Sequence, residues 1–233
     1  MDKYQNAISS YVDKIFNSND AYKEFLRVPV ERQAIVFLDL SQDFQNKFGE
    51  DLSISQILKM FRYLDPDEVT DFLQHLPNDK HTQVVKKLDE NIKEKVDYLL
   101  KFDPKTAAGL MTLDYIIVYK HSKVETLYKK LKKAFVRGKK TPTVLIRDKE
   151  NHLIGHIPFD YFILHRPHNL EHCIEEIPNV YYDEHYDDVI KKFKSSDHKN
   201  LVVVDYENHI LGIIETQDLL KLIEESKTED VYG

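Results

Sequence analysis

The chain has 233 residues, a formal net charge of −7 at pH 7, 42% hydrophobic and 31% charged residues, which is a globular composition. The negative charge disfavours a general nucleic-acid binder, whose surface would be basic. The single cysteine, Cys173, excludes a disulfide framework and a multi-cysteine zinc site, and fits a reducing cytosol. The sequence has no apolar run near the ~20 residues that span a bilayer, no signal-peptide pattern, and no nucleotide-loop, HExxH or GxSxG motif.

Residues 1–108 are predicted to be helical. Between Ser53 and Leu64, apolar residues recur at the spacing of one helix face. These residues are Ile54, Ile57, Leu58, Phe61 and Leu64. Pro29 and the Ser41–Leu52 stretch are interpreted as turns between earlier helices.

A short phrase then recurs, in which an apolar residue is followed by Asp or Pro and further polar residues. It begins at Leu64, Leu76, Leu88 and Phe102. Asp65 and Asp103 precede prolines, and Asp followed by Pro is typical of a helix N-cap and first turn. The pattern predicts a stack of short antiparallel helices, each burying one apolar stripe on the next, as in a helical solenoid.

Residues 109–233 have a different period and contain a duplication. The segment Asp148–Gly155 (DKENHLIG) matches Asp205–Gly212 (DYENHILG) at an offset of 57 residues. Each copy is interpreted as strand, helix, strand, turn, strand and helix. The shared D-x-E-N-H phrase predicts a hairpin turn, with its Asn at positive φ.

A tandem β-α-β-β-α unit that ends in Gly-h-h-x-x-x-Asp, where h is hydrophobic, resembles the cystathionine-β-synthase (CBS) domain pair. The second copy carries this motif from Gly212 to Asp218. The segment 102–112 (FDPKTAAGLMT) is similar to the junction between the N domain and the first CBS domain of MgtE magnesium channels and transporters. The resemblance covers about residues 25–231, and the family's five-helix membrane pore is missing from the sequence.

In that family, the cytosolic domains form a dimer that binds several Mg²⁺ ions at acidic interfaces, and high Mg²⁺ closes the pore. The resemblance implies metal-binding roles for Asp218, Asp197 and Asp187 in the second copy. Mg²⁺ suits such positions because it prefers oxygen ligands, keeps several waters and is held by one or two carboxylates. His185 and Lys221 stand where acidic residues are expected. The alternative is that these acids are solvated surface carboxylates.

In the helical half, Asp67 and Asp71 lie four residues apart and therefore face the same way on one helix. The resemblance makes them candidates to share an ion with the CBS pair. The alternative interpretation is that they are acids near the start of a helix, where they complement its dipole.

CBS pairs also commonly bind adenine nucleotides such as ATP. The resemblance assigns Asp218 to the ribose hydroxyls. Glu215 stands in place of the usual Ser or Thr, and its charge would repel a phosphate. Thr216, one place later, is the second candidate nucleotide-binding residue. The first copy has Pro158 and Tyr161 at its two diagnostic positions.

Two other clusters have alternative explanations. Lys and Arg residues between 129 and 140 could meet phosphates or an anionic membrane, or form a solvated helix face. His165, His168 and His172 could ligate Zn²⁺ or Ni²⁺, but Pro167 interrupts any helix that would align them, so a surface linker is the alternative.

The predicted fold is α+β, with an all-α superhelical N domain followed by a tandem CBS pair. The predicted domains are 1–108, 109–166 and 167–223, with 224–233 as the start of a connecting helix. The predicted function is a cytosolic Mg²⁺-sensing regulatory module, not an enzyme, that forms a homodimer through its CBS domains and acts on a membrane transport domain in cis or in trans. The alternatives are a stand-alone CBS-pair protein that binds adenine nucleotide and regulates a partner, and a scaffold with no ligand.

Overall fold

The computed structural model describes residues 3–137, 142–165, 167–216 and 219–220. The chain divides into two compact units, residues 1–101 and 102–233. The first unit is all-helical and the second contains helices and β-strands, which confirms the predicted α+β class.

The first unit is built from short helices joined by tight turns. Its α-helices are α1 Lys3–Phe16, α2 Ala21–Leu26, α3 Val30–Leu38, α4 Gln42–Asp51, α5 Ile54–Met60, α6 Pro66–Gln74, α7 Asn78–Val85 and α8 Glu90–Leu99. A 3₁₀ turn, Phe61–Tyr63, extends α5. The predicted apolar stripe is confirmed, because Ile57, Phe61 and Leu64 are buried in the core and the other two residues pack against it.

Side-chain caps fix where these helices begin. Ser53 and Gln56 form a capping box, in which the Ser53 Oγ accepts from the Gln56 N–H and the Gln56 Oε1 accepts from the Ser53 N–H at 2.9 Å. Asp65 precedes α6 with Pro66 in its first turn, and the Asp89 carboxylate accepts from the Asn91 N–H at 3.1 Å. The recurring phrases at residues 64, 76 and 88 therefore mark helix starts, as predicted.

Aromatic side chains fill the centre of the helical unit. The rings of Phe37 and Phe72 stack with centroids 3.9 Å apart, and Phe25 contacts Phe48 at 5.1 Å. All four are fully buried. Packing of this kind stabilises helices that are too short to persist alone in water.

Two local predictions were wrong. The Ser41–Leu52 stretch, predicted as a turn, forms α4. Gly49 in this helix is buried so close to the His75 backbone that an added Cβ would lie 2.5 Å from its carbonyl oxygen. Asp103 does not begin an α-helix; its carboxylate accepts from the Lys105 N–H, and Thr106 instead caps the 3₁₀ helix 107–109. Both places make close contacts with residues distant in sequence, Gly49 with His75 and Thr106 with His185. A local sequence pattern contains no information about such contacts.

The second unit contains two three-stranded sheets with the same order. The strands are β1 Tyr115–Tyr119, β2 Thr143–Arg147, β3 Leu153–Ile157, β4 Asn179–Tyr181, β5 Asn200–Val204 and β6 Ile210–Glu215. The helices of this unit within the described residues are α9 Val124–Arg137, α10 Phe159–His165 and α11 Tyr186–Lys194. In each sheet the first two strands are parallel and the last two form an antiparallel hairpin. The duplication is therefore confirmed, although the helix expected after β6 falls mostly outside the described residues.

The hairpin turns have the predicted conformation. Asn151 and Asn208 have φ of 73° and 66°, and they are the only residues of the described chain, glycines included, at positive φ. Asn tolerates positive φ better than most residues. The Asn repeated in the two turns of the sequence therefore predicted their backbone conformation correctly.

The junction segment, residues 102–112, pairs with the second copy, at the start of α11 and along β6. Thr106 bridges His185, the Ala107 N–H donates to the Glu184 carbonyl, and Thr112 bridges Ile213. Met111 is buried beside this bridge. Residues 106–112 thus add backbone pairing at the edge of the second sheet and at the start of α11.

Candidate metal and nucleotide sites

The two copies meet where their hairpin turns face each other. His152 and His209 form an antiparallel bridge, and their rings stack with centroids 5.2 Å apart and planes 14° from parallel. The Asn208 Nδ2 donates to the Leu153 carbonyl at 3.1 Å. The Asn200 side chain likewise donates to the Thr143 hydroxyl, its counterpart 57 residues earlier. Equivalent positions of the duplication therefore form the contact between the copies.

Each turn holds its histidine with the aspartate four residues earlier. The Nδ1 atoms of His152 and His209 lie 2.9 Å from carboxylate oxygens of Asp148 and Asp205. The hydrogen bond to Asp205 is the main cause that raises the pKa of His209 above its ordinary value. Desolvation acts to raise the pKa of Asp205, but hydrogen bonds from His209 outweigh it and lower the pKa.

Two of the three acids predicted to bind metal in the second copy, Asp187 and Asp197, are described by the structure, and both are exposed. Asp187 lies in the first turn of α11, where its carboxylate is 3.2 Å from the His185 Nδ1. Asp197 is exposed in the loop between α11 and β5. Asp218 lies outside the described residues, and so does Lys221. The placement of Asp187 at a helix start and of Asp197 before a strand agrees with the sequence prediction, while their metal-binding role stays a prediction.

Asp67 and Asp71 lie on α6, as expected. Asp67 is half-buried in the first turn and Asp71 is exposed one turn later. Glu68, beside Asp67, accepts a hydrogen bond from the Asp65 N–H at 2.8 Å and helps to cap the helix. The geometry is thus compatible both with helix-start acids and with a ligand pair.

The two described residues of the nucleotide motif, Glu215 and Thr216, are already packed against or hydrogen-bonded to other parts of this chain. Glu215 ends β6 and is only 9% exposed. The Thr216 hydroxyl donates to the Lys199 carbonyl at 2.6 Å, and its N–H donates to the same oxygen. A phosphate would therefore compete with an existing hydrogen bond at Thr216 and meet a buried carboxyl group beside it.

The histidines of the linker are not brought together with an acid. His165 stacks on Tyr161 at 4.1 Å, while His168 and His172 are exposed. Within the described chain, the only group of three histidine, cysteine or acidic side chains close enough to share a metal ion is Asp205, Glu207 and His209. Sequence reasoning missed this group because it treated the D-x-E-N-H phrase only as a turn. The alternation of three potential ligands at every second position was the available signal.

These features define a class of protein. Two β-α-β-β units that pair through their hairpins have the architecture of a CBS domain pair. No helix in the described parts of the chain is long and apolar enough to cross a membrane.

Comparison with known families identifies the particular architecture. Residues 11–105 match the MgtE intracellular N domain, and residues 171–225 match the CBS domain. The chain therefore has the domain composition of the cytosolic region of MgtE-type magnesium transporters, and both domains belong to regulatory, non-enzymatic families.

Individual relatives agree with this assignment. The magnesium transporter MgtE of Thermus thermophilus is 26% identical over 213 residues, which are 88% of this chain and 47% of that protein. MgtE of Enterococcus faecalis is 26% identical over 137 residues, 58% of this chain and 30% of that protein. The chain therefore spans less than half the length of these curated relatives.

A solved structure shows the same fold. The cytosolic domain of the Mg²⁺ channel MgtE, in complex with ATP, superposes with a TM-score of 0.80 at 21% identity, covering 94% of this chain and 89% of that one. At this identity the likeness concerns the fold alone.

Proposed function

We propose that this chain is a Mg²⁺-sensing regulatory module of an MgtE-type magnesium channel or transporter. In this proposal the chain forms a homodimer through its CBS domains, and Mg²⁺ binding favours a compact form that closes a pore supplied in cis or in trans. We further propose CBS units at 109–166 and 167–223, with 224–233 beginning a connecting helix.

The observation that supports this proposal most is the combination of an MgtE N domain with a CBS unit in one chain. CBS units alone occur with many functions, and a shared fold would not select among them. The N domain narrows the choice among these functions, because the curated relatives of this chain are magnesium transporters of the MgtE type.

The chemistry of the exposed acids is suited to the role. Asp187 and Asp197 are exposed on one copy, and Asp71 is exposed on the helical unit. Exposed carboxylates can contribute one or two ligands to a hydrated Mg²⁺ when another surface supplies the rest. If a compact form brings such acids together, they would repel one another without the ion, so Mg²⁺ would bias an equilibrium between open and compact forms.

Small-angle scattering during a Mg²⁺ titration tests this proposal. The radius of gyration should fall at millimolar Mg²⁺ and not in NaCl of equal ionic strength, which separates binding from screening. The double variant Asp197→Ala with Asp218→Ala should abolish the change. Asp188→Ala is the matched control, because Asp188 is an exposed acid that pairs with Lys191 on the same helix face. An unchanged wild-type radius across the titration would refute the sensing role.

A second candidate function is adenine-nucleotide binding with regulation of a partner. It is favoured by the likeness in fold to an MgtE cytosolic domain that was solved with ATP. Calorimetry with ATP, ADP and AMP tests it, with Asp218→Ala as the variant that should lose binding. Glu215→Ser should strengthen binding if the carboxyl group at that position repels the phosphate. If neither Mg²⁺ nor nucleotide binds, a ligand-free scaffold is the remaining interpretation.

A further inference from the structure

The helical unit has a cleft between the outer edge of α5 and the turn that follows α7. Its volume is about 330 Å³, which falls within the range of about 300–1,000 Å³ that is typical of ligand-binding clefts. The residues that line it are Ile54, Ser55, Leu58, Lys59, Arg62 and Lys87. All six belong to the helical unit, so the cleft is formed without the second unit.

Two aliphatic side chains of α5 supply the apolar part of the cleft. Ile57 and Met60 of the same helix are fully buried in the core. Ile54 and Leu58 pack against that core but are only partly buried, and both line the cleft. Since they lie four residues apart, they are neighbours on one face of the helix. Covering the apolar surface that they leave accessible would be favourable for an apolar side chain of a ligand.

Three cations accompany this apolar surface. Lys59 belongs to α5, Arg62 to the 3₁₀ turn that extends it, and Lys87 to the turn after α7. All three are exposed, and among the described residues no carboxylate forms an ion pair with any of their side chains. The cleft has no acidic lining residue. Its local charge is therefore positive, although the whole chain carries a net charge of −7.

The combination of a concave shape, an apolar surface and unpaired cations selects one kind of occupant. A small anion such as phosphate would leave the apolar surface uncovered. A flat membrane surface would reach the exposed cations but not the aliphatic side chains inside a cleft. An acidic peptide with an aliphatic side chain matches both features, because its carboxylates complement the cations and its apolar side chain fits the cleft.

We propose that this cleft binds a short acidic peptide segment of a partner protein. An aliphatic side chain of the segment contacts Ile54 and Leu58, and its flanking carboxylates pair with Lys59, Arg62 and Lys87. This inference goes beyond the proposed Mg²⁺ sensing and does not depend on it, because no residue of the cleft is a carboxylate that could bind the ion.

Fluorescence anisotropy of a labelled peptide, in which two leucines are flanked on each side by two glutamates, tests the proposal with the full chain. Binding should be saturable and should weaken as NaCl is added, since exposed charge pairs are screened by salt. A peptide with glutamines in place of the glutamates should bind more weakly. A peptide with serines in place of the leucines should lose about tenfold or more, because the burial of the apolar side chains is then lost.

Charge-reversal variants show whether the peptide occupies this cleft. Lys59→Glu combined with Lys87→Glu should weaken binding by about tenfold or more, since each exposed ion pair is worth up to about fivefold and reversal adds repulsion. Lys86→Glu combined with Lys95→Glu is the matched control. It changes the net charge equally at two exposed lysines that do not line the cleft, so it should have a much smaller effect.

A second pair of variants tests the apolar surface. Leu58→Ala should weaken binding of the leucine peptide, whereas Leu38→Ala should leave it unchanged. Both leucines are partly buried against the same core, but only Leu58 lines the cleft. A loss of affinity that merely reflects destabilisation of the helical unit would therefore appear in both variants.

Amide NMR shifts locate the bound peptide, which should perturb residues 54–62 and 85–88 first. The proposal is overturned if the leucine peptide does not bind at about 1 mM, the weak end of the affinity scale. It is also overturned if the serine peptide binds equally well, or if the control variants lose as much affinity as the cleft variants. Inorganic phosphate that perturbs the same amides at equal concentration would identify a simple anion site instead. Vesicles of anionic phospholipid that bind through Lys59 and Lys87, when the peptide does not bind, would identify a membrane contact instead.

Discussion

The two glycines that open the equivalent CBS motifs, Gly155 and Gly212, should respond differently to alanine. Neither glycine has positive φ, so alanine can adopt the backbone conformation at both positions, and the cost of substitution depends on what the added Cβ contacts. At Gly155 an added Cβ would lie closer than 3.0 Å to the backbone carbonyl oxygen of Glu175. At Gly212 it would lie 2.6–2.9 Å from side-chain atoms of Met111. A backbone carbonyl cannot rotate away, whereas a methionine side chain can.

The expected magnitudes follow from what must move. Making room at Gly155 requires β3 to leave Glu175, which breaks two backbone hydrogen bonds of 2.9 Å between Glu175 and His156. At about 1 kcal/mol each, the loss of these bonds contributes about 2 kcal/mol to the cost of Gly155→Ala. Gly212→Ala requires a new Met111 conformation, which costs about 1 kcal/mol, near the lower end of the roughly 1–3 kcal/mol for overpacking. Alanine also restricts the unfolded chain by about 0.4–1 kcal/mol at either position, so the net cost should be about 1–1.6 kcal/mol at Gly155 and below about 1 kcal/mol at Gly212.

Urea unfolding with pulsed hydrogen exchange and mass spectrometry measures both variants, because it reports the β2–β3 and β5–β6 segments separately from the helical unit. The double variant Gly212→Ala with Met111→Ala tests the cause further, since the added methyl group should then be nearly free of clashes. Its effect, measured against Met111→Ala alone, should be close to zero or stabilising. The two single glycine variants could instead lose equal free energy of unfolding, or Gly212→Ala could lose more. Either result would refute the argument that a clash with a backbone carbonyl costs more stability than a clash with a movable side chain.

Three further predictions concern local interactions. The turn between β5 and β6 should lose stability as the pH falls through the lowered folded-state pKa of Asp205, because that stabilisation is present above the unfolded value. It should lose stability again as the pH rises through the raised folded-state pKa of His209, because that stabilisation is fully present only below 6.5. Hydrogen exchange at the turn against pH should show both losses, and His209→Gln should remove the upper loss and reduce the lower one, because the His209 side chain also helps to lower the pKa of Asp205. Ser53→Ala should destabilise the helical unit by about 1 kcal/mol through loss of its capping box with Gln56, measured by urea unfolding, and a cost near zero would contradict the assigned cap. Asn208→Ala should cost about 1–2 kcal/mol more than Asn208→Gly, because only glycine shares its tolerance of positive φ, and equal unfolding free energies would contradict this.

The duplicated half could be predicted because its signals are local and repeated. The D-x-E-N-H phrase specifies a two-strand turn by itself, and its second occurrence 57 residues later gave the period of the unit. Asn151 and Asn208 have the predicted backbone conformation in both places. Repetition therefore made a weak local preference into a reliable prediction of fold.

Elements that depend on distant contacts could not be predicted in this way. Asp103 precedes a proline just as Asp65 does, and the local chemistry of the two phrases is nearly the same. The chain after Asp103 instead pairs with the segment around His185, and this pairing outweighs the preference for a helix. Gly49 resembled a turn residue, yet it is a helical residue required by the close approach of His75.

The candidate metal sites show the same division between local and distant information. The positions of Asp187 and Asp197 relative to their helix and strand were predictable, because each depends on the pattern of its own copy. The group formed by Asp205, Glu207 and His209 was not, since the first copy has the same three residue types in the same order without forming one. The two turns have Asp, Glu and His at the same spacing, but only the second turn brings these three side chains within 4.8 Å of one another.

The two turns differ in the placement of their glutamates. An exact two-fold arrangement would give both glutamates the same role, but here the Glu207 carboxylate lies 3.7 Å from the Nδ1 of His209 in its own turn, whereas Glu150 does not join the aspartate and histidine of its turn in a three-residue group. The aspartate, asparagine and histidine of each turn are needed for the hairpin and the stacked contact, so the fold restrains them in both copies. Glu207 is 81% exposed and carries little of that structural requirement, so the two copies can differ at this position without loss of the shared architecture.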